Sequence, residues 1–473
     1  MKKLLALLLA VIMVLSMAAC GASEPAPEAP KAEEPKVEAP KEETPVVEEP
    51  AGDPVYINEN AAELTGSVRL LTAFAGNQGT DALIAAFNEY YPNVDVSFEV
   101  YVNNADGNLT ANTAIQSGNV DVILSFDTSN TAFRWENGML LDITDRLAAD
   151  NLDLVKEWGT DAYKYNDRVY CFPAGGLSIF VALNMTAWEE AGLGEIPDEW
   201  TWDEYLEACR KMTVRDADGK TVVYGGTEFN NRPYWIYPMR QTKGVDAYYT
   251  SDGKADFTSG LAAKILQREL DAEAEGIWYE KMNLITNNTK SRDLLWNGTV
   301  NSCIESIITR FVMDLEKYPH DFILGYAPYP INAEGETNYA LGNMNNSFYC
   351  VTNNAQDADA AYAFAKFAST YGGKYLYKAG HTTTWTSVNP DEIVDLVFGD
   401  RATAEKFVDV DSYIKNVLAV GAPAYHEEFI TAYSEITSLT NEYYDIIKTG
   451  QMSVEEGLAE LQELANEAIE DAQ

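Results

Sequence analysis

Several residue groups in this 473-residue chain could do chemistry, and most fail on spacing. His426-Glu427 opens the zinc pattern H-E-x-x-H, but Ile430 stands where the second histidine is required. The other histidines, His320 and His381, give no metal-ligand spacing. Gly175-Gly176-Leu177-Ser178 lacks the frame of a nucleophile elbow, and Gly373-Lys374 precedes Tyr375 instead of the Ser/Thr of a phosphate loop. Asp216, Asp218 and Gly219 begin like a calcium loop, but the third acidic ligand and the distal glutamate are missing, so DADGKTVVYGG reads as a hairpin turn. With 74 Asp and Glu, counting does not decide against the carboxylate pair of a glycoside hydrolase, which stands as the enzymatic alternative. The reading is a protein without catalytic residues, metal or cofactor. What remains is binding chemistry. Twenty-eight tyrosines and nine tryptophans supply aromatic faces, which together with Asn, Asp, Glu, Gln and Arg edges suit a hydroxyl-rich ring such as a sugar.

Positioning such groups takes a scaffold. SVRLLTAF is a strand, DALIAAFNEYYP an amphipathic helix with Leu83, Ile84, Phe87 and Tyr90 at helical spacing, and VDVSFEVY an alternating strand. LTANTAIQSG fits a helix ended by Gly118, and VDVILSF a short buried strand. Strand and helix alternating in this way predict an open parallel α/β sheet, with its binding site outside the carboxyl ends of the strands. Asn77 and Gln78, and Phe126 and Asp127, therefore fall on rim loops. Further along, RVYCFPAGGLSIFVALN gives two strand-like runs broken by Pro173 and Gly175-Gly176. WTWDEYLEACRKM is a helix opened by a Thr201/Glu204 capping box, and SVEEGLAELQELANEAIED is a helix with Leu458, Leu461, Leu464 and Ile469 inward.

Composition bounds the partners. A formal charge of −41 argues against nucleic acid, which needs basic patches. Lys2 and Lys3, the apolar run Leu4 to Leu15 and small residues before Cys20 form a secretory signal too short to span a membrane. LSMAAC resembles the bacterial lipobox, which implies a lipid on Cys20 and a chain anchored at the outer face of the cell membrane. Residues 22–54 hold eight of the eighteen prolines and nine glutamates; they cannot build a core and suit an extended tether. The expected organisation is a leader at 1–20, a disordered tether at 21–65 and a folded body of more than one unit from 66.

Within that body, NDRVYCFPAGGLSIFVALNMTAWEEAGLGEIPDEWTWDEYLEACRKM (166–212) resembles the bacterial extracellular solute-binding proteins of the carbohydrate type, the maltose-binding-protein-like family of ABC-transporter binding proteins. The FPAGG bend, LNMTAWEEAGL, TWDEY and the YGG hairpin carry it. LLDITD, LLWNGTVNSCIES, GYAPYP and ADAAYAFAKFAS follow in family order. The resemblance implies a two-lobed α/β fold, with 66–175 plus 348–385 in one lobe and 176–347 plus 386–473 in the other. Three hinge crossovers would join the lobes, near Gly175–Leu177, Asn346–Phe348 and Thr384–Pro390. It implies a monomer that captures a sugar or oligosaccharide and passes it to a membrane permease; a peptide or polyol binder and a sugar-sensing receptor subunit are the alternatives. Matching NNRPYWIYPMRQTKG places Tyr234 against the ligand, with Arg232 where maltose binders have an acid, a change that suits an acidic sugar or an acceptor-rich face; Trp235 is either wall or core. The same matching offers Glu305 and Ser306, and Tyr425, His426 and Phe429, as cleft residues, and Gly175 and Gly176 as hinge. It also pairs the strands of Cys171 and Cys350, leaving open whether they form a disulfide.

Overall fold

The computed structural model describes residues 56–159, 164–229, 235–244, 246–339, 344–419 and 431–472. Cys20, Arg232, Tyr234, Tyr425, His426 and Phe429 lie outside the described residues. The body begins earlier than the sequence suggests. Residues 56–65, assigned above to the tether, pack on the core through Ile57, Ala61 and Leu64, and Lys366 Nζ donates to Asn58 Oδ1 at 2.7 Å. The Pro/Glu signal ends at Pro54, and nothing in 56–65 has the charge or proline density that keeps a chain from packing.

Strands β1 (Gly66–Thr72), β2 (Val94–Val100) and β3 (Val122–Phe126) alternate with the helices Thr80–Tyr90 and Ala105–Gln116. A small hairpin of β4 (Lys164–Tyr165) and β5 (Arg168–Val169) leads to β6 (Phe172–Leu177) and β7 (Phe180–Asn184). The hairpin of β8 (Val214–Arg215) and β9 (Thr221–Val223) is the turn expected from DADGK. Then come β10 (Ser302–Glu305), β11 (Leu324–Pro328), β12 (Met344–Val351) and β13 (Thr382–Thr383). One sheet has the order β13-β6-β12-β3-β1-β2, and a second the order β10-β7-β11.

The larger sheet is mixed, which corrects the parallel expectation. β1 is parallel to β2 and β3, but β12 runs antiparallel to β3 and β6, and β13 antiparallel to β6. The first three strands are joined by helical crossovers, which enforce parallel neighbours. β12 instead enters the sheet after the chain has built β11 of the other sheet, so no crossover fixes its direction. A second correction concerns FPAGG. Pro173, Gly175 and Gly176 do not break the strand but lie inside β6, and the chain turns at Ser178-Ile179. Gly175 serves close approach: a Cβ there would sit 1.9 Å from the Thr382 carbonyl oxygen.

The cores follow the two sheets. One unites residues Ala61–Ala174 with Phe348–Ala379. The smaller sheet is buried on both faces, with Phe180 and Ala182 of β7 on one side and Val181 and Leu183 on the other. A further core joins the helices Ile236–Lys243, Leu261–Glu275, Tyr433–Lys448 and Val454–Asp471. The fold is α/β and two-lobed. Local signals place its helices well. Thr201 Oγ1 accepts from Glu204 N while Glu204 Oε2 accepts from Thr201 N at 2.7 Å, and Ser453 and Glu456 repeat the box at the last helix. Cys171 and Cys350 sit on the paired strands β6 and β12 beside Phe172↔Tyr349; they are unbonded neighbours, and the Cys350 contact and burial push the Cys171 thiol pKa up. No helix among the described residues is long and apolar enough to cross a membrane.

Candidate ligand-binding cleft

The chain passes between the sheets three times: at Ser178-Ile179, between β11 and β12, and after β13. These passages meet the carboxyl ends of β1 and β3. Asp127, directly after β3, has φ 56° and ψ 150°, a backbone state costing about 1–3 kcal/mol for a residue with a side chain. Two contacts hold it there. Its N–H donates to Asn346 O at 2.7 Å, and its carboxylate caps the helix Thr128–Glu136 by accepting from Asn130 N at 2.8 Å. Strain of this kind persists where surrounding structure over-determines it, and it clusters at binding sites.

Some polar side-chain atoms on or next to these passages are left unsatisfied by the protein. Ser178 Oγ, Asn346 Oδ1, His381 Nδ1 and Thr384 Oγ1 are shielded from solvent and have no hydrogen-bond partner among the described residues. All four are on or next to the passages between sheets. Native structures pair nearly all such groups, so each exception is a group that an outside partner could satisfy. His381 packs against Phe74 and Phe126, with ring centroids 4.9 and 5.6 Å away, and Arg310 donates to Ala379 O at 3.1 Å nearby. Burial, with a smaller push from the Arg310 charge, brings the His381 pKa down to about 3.

A pocket of about 560 Å³ lies between the helix Thr128–Glu136 of one lobe and the segment Thr431–Glu435 of the other. Phe133 faces it while 46% exposed, a large apolar side chain left open on a helix whose neighbours Ala132 and Trp135 are buried. Opposite stands Tyr433. Arg240 Nη2 donates to its hydroxyl at 3.3 Å, and Tyr248 packs on its ring at 5.4 Å between centroids. Ser129 and Ser434 add hydroxyls, and Glu136 and Glu435 add one carboxylate to each wall. Aromatic surface next to hydroxyls and carboxylates can cover a ring face and hydrogen-bond its edge.

The residues singled out from sequence divide. Phe126 ends β3 and Asp127 follows it, while exposed Asn77 lies beyond the carboxyl end of the neighbouring parallel strand β1. Gln78 turns back, its Oε1 accepting from Ala75 N at 2.9 Å. Trp235 is 3% exposed in the helical core, 6.0 Å from the Phe257 ring. Glu305 is fully buried and paired with Arg292 at 3.0 Å, and Ser306 follows it, also buried. Arg232 and Tyr234 fall between described Phe229 and Trp235, while Tyr425, His426 and Phe429 fall just before Thr431. Sequence reasoning missed Phe133 and Tyr433. The available signal for Phe133 was an aromatic outside the apolar stripe of its helix; Tyr433 carries none.

The family profile described as bacterial extracellular solute-binding protein matches residues 74–375. The chain belongs to this family. As a solute-binding protein it has many solved structural relatives. A sugar transporter protein from Rhizobium etli in an open conformation aligns with TM-score 0.67 at 19% identity, covering 85% of this chain and 99% of that one. An ABC substrate-binding protein from Listeria monocytogenes in complex with cycloalternan aligns with TM-score 0.66 at 16% identity, covering 86% and 99%. The GacH receptor of Streptomyces glaucescens, solved unliganded and with acarbose, gives 0.63 at 16%, covering 87% and 100%. At such identities the likeness establishes the fold. Comparison with curated protein sequences finds no match. Family and fold are those of binding proteins rather than enzymes.

Proposed function

We propose that this solute-binding protein captures a mono- or oligosaccharide outside the cell and delivers it to the permease of an ABC transporter, held at the membrane by a lipid on Cys20. The observation that carries the ligand class is the pocket between lobes, where Phe133 and the Arg240-held Tyr433 meet hydroxyls and carboxylates. Relatives named as a sugar transporter and as partners of cycloalternan and acarbose support the same class. In this reading 66–175 with 348–385 closes on 176–347 with 386–473, and Gly175-Gly176 belongs to the hinge. The core that joins Ala61–Ala174 to Phe348–Ala379 supports that division. Ligand contacts come from Asn77, Phe126 and Asp127, from Arg232 and Tyr234, and from Tyr425, His426 and Phe429. In this reading the protein acts as a monomer.

A thermal-shift screen over neutral, amino and acidic sugars tests this. A ligand at 100 times its Kd that binds only the folded state adds about 2.7 kcal/mol, which moves the melting temperature by several degrees. A shift with peptides or polyols and none with sugars discards the substrate class and keeps the fold. Sugar turnover in the same samples establishes an enzyme instead.

A further inference from the structure

The charge pattern of the interlobe pocket goes further than the saccharide reading, on which the inference rests. Each wall presents one exposed carboxylate, Glu136 at the end of the helix Thr128–Glu136 and Glu435 in the first turn of the helix Tyr433–Lys448. Among the described residues lining the pocket there is no Lys, Arg or His. Two guanidinium groups on elements adjoining the pocket are set back and engaged. Arg134 is fully buried and donates to Asn112 at 2.9 Å, Ser125 at 2.5 Å and Asn108 at 2.7 Å. Arg240 stands behind the Tyr433 hydroxyl and lies over the Tyr237 ring. Asp127 adds a third carboxylate at the Ser129 end, accepting from Ser129 Oγ at 3.1 Å. The start of the helix at Tyr433 carries a partial positive charge that would welcome an anion, and Glu435 in its first turn answers it.

An anion entering here gives up hydration and meets like charge from both lobes. A neutral saccharide meets neither cost: the carboxylates accept from its hydroxyls, and Phe133 and Tyr433 cover its ring faces. Rejection by an introduced repulsion is a common source of specificity. We propose that the pocket selects an uncharged saccharide and turns away uronates and other anionic sugars, with Glu136 and Glu435 setting that choice. Arg232, assigned to the ligand by sequence matching alone, would favour an anion instead, which makes the choice testable.

The test uses the full chain with Cys20→Ser. Calorimetric titration at low ionic strength compares neutral trisaccharides of glucose, galactose and mannose with trisaccharides of galacturonate and mannuronate. The wild type is expected to bind a neutral trisaccharide at least tenfold more tightly than any uronate, and E136Q/E435Q to narrow that gap severalfold. A wild type that prefers a uronate and loses the preference in R232Q, or a gap unmoved in E136Q/E435Q, overturns the proposal. A second measurement is independent of sugar binding. Ser434→Cys in the pocket and Ser387→Cys, on an exposed position elsewhere, react with the anionic reagent dithiobisnitrobenzoate and with neutral dithiodipyridine; the native cysteines at 171, 209, 303 and 350 are buried. The anionic reagent should be slowed severalfold more at 434 than at 387, and E136Q/E435Q should remove the difference. Equal ratios at the two positions sink the charge filter even if sugars bind. A slowed anion with no saccharide bound sinks the saccharide reading and leaves the filter standing.

Discussion

Arg240 Nη2 donates a 3.3 Å hydrogen bond to the hydroxyl of Tyr433, joining the helix that follows residues 230–234 to the helix that follows 420–430. Two segments that sequence matching sends to the ligand are thus tied at their exits. The contact fixes the ring that forms one wall of the pocket, and Arg240 is itself 6% exposed over Tyr237. Arg240→Met keeps the stem and removes the donors, deleting this hydrogen bond. We expect a stability loss of about 1–3 kcal/mol and a severalfold weaker ligand affinity. Urea melts and calorimetry check both; an unchanged Kd assigns the contact to packing alone.

Phe133 and Trp235 should behave in opposite ways. Phe133→Ala removes an open side chain, so stability should stay within roughly 0.5 kcal/mol while affinity falls by about 0.5–1.5 kcal/mol. Trp235→Ala empties a core site and should cost about 3–5 kcal/mol. Tyr234→Ala separates the two roles for its own position: a lost ligand-induced melting shift with an intact ligand-free melt supports the cleft, and a core-sized destabilisation refutes it.

His381 predicts an acid sensitivity with a definite sign. In the folded state it stays neutral down to about pH 3, whereas in the unfolded chain it protonates near 6.5. Between those values the unfolded state binds more protons, so this site's contribution is present above pH 6.5 and is lost as pH falls. Going from pH 7.5 to pH 5 should cost the wild type about 2 kcal/mol through this group, and His381→Phe should not show that component. Denaturant titrations of both proteins at the two pH values decide it. Parallel pH slopes would mean the imidazole is not held neutral.

Cys20 should carry a diacylglyceryl group and be the first residue of the mature protein. Mass spectrometry of the N-terminal peptide from native membranes checks this. A mature chain starting elsewhere, released without detergent, removes the anchor from the proposal.

Some of this was legible in the residues themselves. Helices such as Trp202–Met212 and Val454–Asp471 are announced by capping boxes and by apolar residues at helical spacing, which act within a few positions. The strand ends at Phe126 and the loop at Asn77 follow from alternation of strand and helix, and the order of short motifs carried the family. Identity at the level of single side chains was another matter. Trp235 and Glu305 have the right chemistry for a cleft, yet one fills a helical core and the other neutralises Arg292, because burial and pairing depend on elements far away in the chain. Phe133 and Tyr433 stand 300 positions apart; the place of Phe133 outside its helix's apolar stripe marks it as exposed, but no local feature of either tells what it will face. The direction of β12 was undetermined for the same reason, since it is set by the path through the other lobe. Short-range backbone and packing preferences thus determined the elements and the fold class. Only the folded lobes, by choosing which helix faces which across the gap, decided the walls of the pocket and the charge it presents.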